Sequence, residues 1–275
     1  PISNRSGFLL GIYYGGPGLG ITLSSLTLPT VGQWATDIHW EHAWQLSWYA
    51  IAFMCVVLTL LLIKPVLSIP AVSPKKAGQS GTPIQSYLAI LAGYFMFGVG
   101  YIGYMTFVVA LLKQLGLAST TLNIFYALLG VAVMASSRLW AKLLDHFKGG
   151  QSLAILNTLL GIASFIPAFL AIYGAEMDGA AIVAIFFSGL LFGGVFLSAV
   201  ASTTAFVKHN MPQSDWVGGI TAFTSIFAAG QIVGPTIVGW ISDGQGGLAQ
   251  GLVLSGMALL IGGFIAARQK PLKHY

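Results

Sequence analysis

GAAIVAIFFSGLLFGGVFLSAVASTTAFV, residues 179–207, runs between Asp178 and Lys208 without a single charge. An apolar helix needs roughly 20 residues to cross about 30 Å of hydrocarbon, and this stretch exceeds that length. Its apolar core, Ala181–Leu197, does not alternate polar with apolar residues, as a strand of a membrane β-barrel would. Seven further windows, 6–36, 42–63, 77–112, 114–137, 149–175, 216–242 and 244–267, are equally free of charge. Charged residues make up 7% of the chain, against about a quarter in a soluble protein. The composition (56% hydrophobic, 35 glycines) points the same way. The chain reads as a polytopic all-α membrane protein with eight transmembrane helices, expected near 7–28, 44–63, 84–112, 121–143, 151–173, 180–207, 217–241 and 248–267.

Threading eight spans back and forth puts Arg5, Lys64, Lys75, Lys76, Arg138, Lys142, Lys148, Lys208, Arg268, Lys270 and Lys273 on one face, with only Lys113 opposite. Asp37, Glu41, Glu176, Asp178 and Asp243 fall on the other face. The positive-inside rule makes the basic face cytoplasmic, and with it both ends of the sequence. The net charge of +5 is therefore a topology signal and not a nucleic-acid footprint. A single cysteine, Cys55 in an apolar window, can form no internal disulfide.

Two long connections interrupt the spans. Residues 29–43 (PTVGQWATDIHWEHA) read as an external loop. Residues 64–83 (KPVLSIPAVSPKKAGQSGTP), rich in proline, lysine and small residues, read as a flexible cytoplasmic linker. This divides the chain into 1–63 with two helices, the linker 64–83, and 84–275 with six. An internal repeat suggests why. Tyr14-Gly-Gly-Pro-Gly-Leu-Gly20 in the first span and Gly230-Gln-Ile-Val-Gly-Pro-Thr-Ile-Val-Gly239 in the seventh both place Gly-Pro deep in the membrane, six spans apart. Two parallel six-helix halves around an axis along the membrane normal form a transporter architecture, in which substrate sits between the halves.

On these features the whole chain resembles the major facilitator superfamily, with spans equivalent to helices five to twelve of twelve. Gly230-x-x-x-Gly234-Pro235 resembles the first half of that superfamily's antiporter motif, G-x-x-x-G-P-x-x-G-G. Gly16-Pro17-x-x-Gly20 matches its core, with Ile12 and Ile21 in place of flanking glycines. Leu143-Leu-Asp145-His-Phe-Lys-Gly149 is similar to the cytoplasmic loop motif L-a-D-r-x-G-r through Asp145, departing at His146 and Lys148. Gly93-Tyr-Phe-Met-Phe-Gly-Val-Gly-Tyr-Ile-Gly-Tyr-Met-Thr-Phe107 resembles the bacterial YbfB/YjiJ-type subfamily. The resemblance implies a twelve-helix transporter of the inner membrane, a monomer when full length, of which two helices close the amino-terminal half and six form the carboxy-terminal half. It also implies that Gly16, Pro17, Gly20, Gly230, Gly234, Pro235 and Asp145 serve gating or helix packing. A packing kink without any part in exchange is the plainer reading of the Gly-Pro segments.

Candidate cavity residues follow from polar groups that lipid would not tolerate. Tyr94, Phe97, Tyr101 and Tyr104 recur at spacings of three and four, on one helical face. A tyrosine hydroxyl in hydrocarbon needs a partner, so this face meets protein or a wet cavity. Gln231, on a stripe with Thr221, Thr224, Ala228 and Pro235, is the most polar side chain well inside a span, and either bonds a neighbouring helix or contacts substrate. Asn123 and Tyr126 lie near the external end of the fourth span, and Arg138 near its cytoplasmic end, where it snorkels to lipid phosphate or pairs with Asp145 rather than binding an anion, the alternative a carboxylate solute would favour. The cavity contacts expected are Tyr94, Tyr101, Tyr104, Asn123, Thr224 and Gln231.

Other patterns are decoys. His39-Trp-Glu-His42 offers too few ligands for a metal site. Gly98-Val-Gly-Tyr-Ile-Gly103 spells the dinucleotide pattern in the middle of a span, with no strand before it. No catalytic pattern, cofactor site or P-loop occurs, so the expected function is not enzymatic and any pumping is ion-driven. No Asp, Glu or His lies mid-span to carry a proton, so either that residue belongs to the four helices the resemblance places ahead of these spans or the protein is a facilitator. The aromatic, neutral lining and the antiporter-like Gly-Pro motif lead to the expectation of a secondary transporter exporting a small, mostly apolar or uncharged solute, with protons as the coupling ion. The rival readings are a facilitator or importer of sugar-like or carboxylate solutes, a lipid-modifying membrane enzyme, and a non-transporting structural membrane protein.

Overall fold

A computed structural model describes residues 6–68, 81–244 and 247–272, with side chains from Gly15 onward. Residues 69–80 of the expected linker, and the basic residues Arg5, Lys75, Lys76 and Lys273, lie outside the described residues. The described residues form nine α-helices and no strand: α1 (Ser6–Asp37), α2 (Ala43–Leu67), α3 (Leu88–Gln114, after a 3-10 turn at Ile84–Tyr87), α4 (Ser119–Leu139), α5 (Ala141–His146), α6 (Gln151–Ile172), α7 (Gly179–Asn210), α8 (Trp216–Ser242) and α9 (Gly247–Ala266). Seven stretches, with α4 and α5 counted together, are long and apolar enough to cross a bilayer. The eighth expected span, α1, is the long one diluted by glycine, serine and threonine. Trp34, Trp44, Trp48 and Trp240, all exposed, gather at the end opposite the basic face, as an interfacial aromatic belt does.

Two boundaries differ from the expectation. The first span does not stop near residue 28, because α1 continues through Pro29 to Asp37 and takes in half of the expected loop. It ends where His39 adopts φ 53°, with His39 N–H donating to Thr36 O (3.0 Å) and Trp40 N–H to Ala35 O (2.9 Å). That is a Schellman closure with histidine in the left-handed position glycine usually takes, so His39 terminates a helix. The expected span 121–143 breaks at Trp140 (φ −103°, ψ 4°), whose indole N–H donates to Gly194 O at 2.8 Å. The short α5 then carries Asp145, exposed, along the basic face.

Glycine decides how the helices pack. In lipid there is little hydrophobic drive between helices, so small residues that admit close backbone approach set the interfaces. A β-carbon on Gly98 would lie 2.8 Å from Phe227 O of α8, and one on Gly230 would lie 2.5 Å from Phe95 O of α3. Gly93 and Gly262 stand in the same relation between α3 and α9. The dinucleotide-like Gly98, Gly100 and Gly103 are therefore the flanks of a helix wedged between α8 and α9. On the other side, α4 meets α7 through Ser136 and Ser198. Ser198 Oγ–H donates to Ser136 O (2.8 Å), and Ser198 N–H donates to Ser136 Oγ (3.1 Å). Helix α1 lies along α4, where a β-carbon on Gly18 would fall 2.6 Å from Met134 N and 2.7 Å from Gly130 O. Helix α6 touches both groups, packing on α9 and on α7.

At the basic end the chain ties itself across the bundle. Thr82 donates both N–H and Oγ–H to Asp215 Oδ2 (2.7 Å each). Asn210 donates to Lys148 O (2.7 Å) and accepts from Leu272 N–H (2.7 Å). Gly150 N–H donates to Gln269 O (2.9 Å), and Gln269 donates to Ser86 O (3.0 Å). These bonds hold the ends of α3, α6, α7, α8 and α9 in register.

Candidate functional site

An aromatic ladder fills the space between α3, α7 and α8. Tyr94 stacks on Phe97 (centroids 5.3 Å) and on Phe227 (5.2 Å), and Phe97 stacks on Tyr101 (5.1 Å). Tyr101 then stacks on Phe196 of α7 (5.1 Å) and on Phe227 of α8 (5.4 Å). Further along, Tyr104 lies flat on Phe192 at 3.9 Å. Toward the basic end, Phe223 meets Tyr94 edge-on (5.7 Å) and Tyr87 at 5.9 Å. Each offset or tilted pair adds about 0.5–1.5 kcal/mol beyond its area.

Two polar contacts punctuate the ladder. Gln231 Nε2–H donates to Tyr101 Oη, joining α8 to α3 inside the bundle. The sequence left Gln231 between a neighbouring helix and substrate; here it takes the helix partner, half-buried. Ser188 Oγ–H donates to Ala163 O (2.7 Å), so Tyr104 is the donor to Ser188 Oγ (2.8 Å). A serine hydroxyl has one proton and two lone pairs, which fixes that direction.

Beside Tyr94, where α7 and α8 diverge, a cleft of about 240 Å³ opens in the half of the bundle nearer the basic face. It is lined by Tyr94 of α3, by Val200, Thr203 and Thr204 of α7, and by Ile220, Phe223 and Thr224 of α8. Tyr94 and Thr224 thus share one cleft, with Tyr101 and Gln231 immediately above it on the same two helices. Tyr104 is fully buried against α7, and Asn123 is half-buried on α4; neither lines the cleft. Tyr126 donates to Met105 O (2.7 Å), bracing α4 on α3. Of the Gly-Pro positions, Gly230 and Gly234 are buried against α3 and Pro235 is half-buried, while Gly16, Pro17 and Gly20 are exposed on α1. The contact on α1 belongs to Gly18, which the motif comparison passes over.

Residues 2–267 match the family model described as an uncharacterised MFS-type transporter, YbfB. The chain belongs to that family. It is a multi-pass membrane transporter and not an enzyme. No curated protein matches it.

Sequence reasoning missed this transporter's α7 contribution altogether, along with Phe223 and Phe227 of α8. The signal was present: Phe192, Phe196, Val200 and Thr204 recur every four residues, as do Phe223 and Phe227. An aromatic repeat at one helical face on each of three spans is a stronger pointer to a shared lining than tyrosines on one span alone.

Proposed function

We propose that the chain works as a secondary active transporter of a small organic solute, by alternating access, with export driven by protons. The observation that carries this reading is the cleft between α7 and α8, floored by the aromatic ladder and edged by threonine hydroxyls. A mostly apolar lining with a few placed polar groups is the usual chemistry of a small-molecule site. Tyr94, Tyr101, Thr224 and Gln231 are the proposed contacts around it; Tyr104 of α3 and Asn123 of α4 lie in the far half. The Gly-Pro segments of α1 and α8, similar to the antiporter motif, support export.

In this reading α1 and α2 close one six-helix half, residues 64–83 link the halves, and 84–275 form the other. Arg138, Lys142, Lys148 and Arg268 face the cytoplasm from the inner membrane. The rival of a facilitator or importer finds less support for carboxylate solutes, since among the described residues no charged side chain lines the cleft; sugar-like solutes remain the second reading.

The test places one cysteine at the cleft, Thr224→Cys in a Cys55→Ser background, and labels it from each side of sealed vesicles with an impermeant maleimide. Labelling from both sides, with the two rates moving oppositely when a proton gradient is imposed, is the expected result. Labelling from both sides without response to protons would leave a facilitator, and labelling from one side only under every gradient would end the alternating-access reading. In the full-length protein Gln231→Leu is expected to reduce transport; unchanged transport removes Gln231 from the site.

A further inference from the structure

Resting on the transporter reading, we propose that the α7–α8 cleft selects small aromatic amines and rejects carboxylates. The argument starts from where the threonine protons go. Thr203 Oγ–H donates to Val200 O at 2.9 Å, and Thr224 Oγ–H donates to Ile220 O at 2.9 Å. In a helix such a back-bond is the common resting state of threonine in apolar surroundings, since the carbonyl one turn away is the nearest acceptor. A hydroxyl carries one proton and two lone pairs, so each of these residues offers the cleft only acceptors. Thr204 adds one hydroxyl that can turn either way, against two that are committed.

Tyr94 and Phe223 add aromatic rings to the lining, and aromatic faces are the negative part of the ring quadrupole. Among the described residues no lysine, arginine or histidine lines the space. A carboxylate placed there would give up its water and meet no cation, with only the hydroxyls of Tyr94 and Thr204 as side-chain donors. An ammonium or amine N–H would meet the acceptors it needs, and its charge would be drawn to the rings within about 6 Å. The size fits a compact ligand: about 240 Å³ lies below the roughly 300 Å³ at which sites for drug-sized molecules begin. One aromatic ring with a short amine arm lets the ring stack on the ladder while the nitrogen reaches Thr203 of α7 and Thr224 of α8, which both line the cleft.

The experiment compares 2-phenylethylamine with phenylacetate, which share a ring and differ in the charged end. Binding of each to the protein in lipid nanodiscs is measured by calorimetry, for the parent, Thr203→Val, Thr224→Val and Thr224→Lys. The amine is expected to bind and phenylacetate to bind at least ten-fold more weakly. Each valine, equal in size to threonine but without lone pairs, is expected to weaken the amine by roughly ten-fold. Thr224→Lys is expected to invert the preference, a gain that a misfolded variant could not show. Phenylacetate binding as tightly as the amine, valine variants that bind the amine like the parent, or no binding of either probe would each overturn the proposal. The labelling at residue 224 reads transport independently. Alternating labelling with a failed amine preference refutes the ligand class alone. A sound amine preference with one-sided labelling refutes transport alone.

Discussion

Replacing Gly230 with alanine tests the packing logic at its tightest point. The new methyl would stand 2.5 Å from Phe95 O, 3.0 Å from Gly98 Cα and 3.1 Å from Val99 N. All three are backbone atoms of α3, so no rotamer change can make room. Ordinary contact begins near 3.4 Å, so α3 and α8 must part by several tenths of an ångström along the line where Gly98 and Gly234 also meet them. Overpacking of this kind costs about 1–3 kcal/mol. Against it stands the gain in helix propensity of alanine over glycine, about 0.5–1 kcal/mol. The net is a loss of up to about 2.5 kcal/mol, and the separation also strains the Gln231–Tyr101 bond one residue away. Gly218→Ala, on the same helix with nothing within 4 Å, supplies the propensity gain without the clash. Thermal melting in one detergent should therefore lower Gly230→Ala and leave Gly218→Ala level or raised; since both gain helix propensity, the clash of about 1–3 kcal/mol separates them by roughly 2–12 °C on the scale of about 2–4 °C per kcal/mol. Equal melting of the two variants would refute the claim that backbone contact through glycine holds α3 to α8.

Three further outcomes follow from the same contacts. On α1, Gly18→Ala should destabilise by about 1–3 kcal/mol, because Met134 N and Gly130 O occupy the space, while Gly20→Ala, with nothing within 4 Å, should not; melting of the two variants decides it. Ser188→Ala should destabilise more than Tyr104→Phe, about 1–3 against 0.5–1.5 kcal/mol, since the first strands a buried phenol proton and the second leaves Ser188 still donating to Ala163 O; chemical denaturation of both variants ranks them. Trp140→Phe keeps the ring but loses the bond to Gly194 O, so the α4–α5 break should loosen, read as faster hydrogen exchange across residues 139–146.

How far the sequence could be read depends on what each interaction leaves in the pattern. Membrane spans need length and freedom from charge, and both are visible residue by residue, so most span boundaries agree with the helices within a few positions. The Pro29 boundary was misread because proline usually marks a helix end, whereas α1 carries it internally and stops at the left-handed His39. The break at Trp140 is set by a tertiary bond to Gly194, of which α4's own residues give no sign. The tyrosine face of α3 was legible because polar groups in lipid must find partners. The α7 wall left a repeat of Phe192, Phe196, Val200 and Thr204 at four-residue spacing, but which α7 positions border a cleft is set by where α8 diverges, which no local pattern encodes. Glycine was legible as close packing but not as to which glycine, since Gly18 and Gly20 differ only in the direction they point.

The contacts also divide the bundle into two groups that differ in how freely they can shift. Helices α3, α8 and α9 are joined backbone to backbone, with Gly98, Gly230, Gly93 and Gly262 at the crossings. Helices α1, α4 and α7 are joined by Gly18, Gly130 and the Ser136–Ser198 bonds. Interlocked backbones cannot slide without unpacking a whole crossing. Between the groups lie aromatic rings, and stacked rings tolerate offset and tilt at little cost. Polar bonds cross between the groups at both ends: Tyr104 to Ser188 and Tyr126 to Met105 O in the half away from the basic face, and Leu272 N–H to Asn210 and Trp216 to Met211 O in the half nearer to it, where the cleft lies. A relative motion of the two groups that widens the space between Thr203 and Thr224 would therefore have to release Asn210 from Leu272 N–H and Trp216 from Met211 O, while the stacked rings of the ladder supply the surface that can slide.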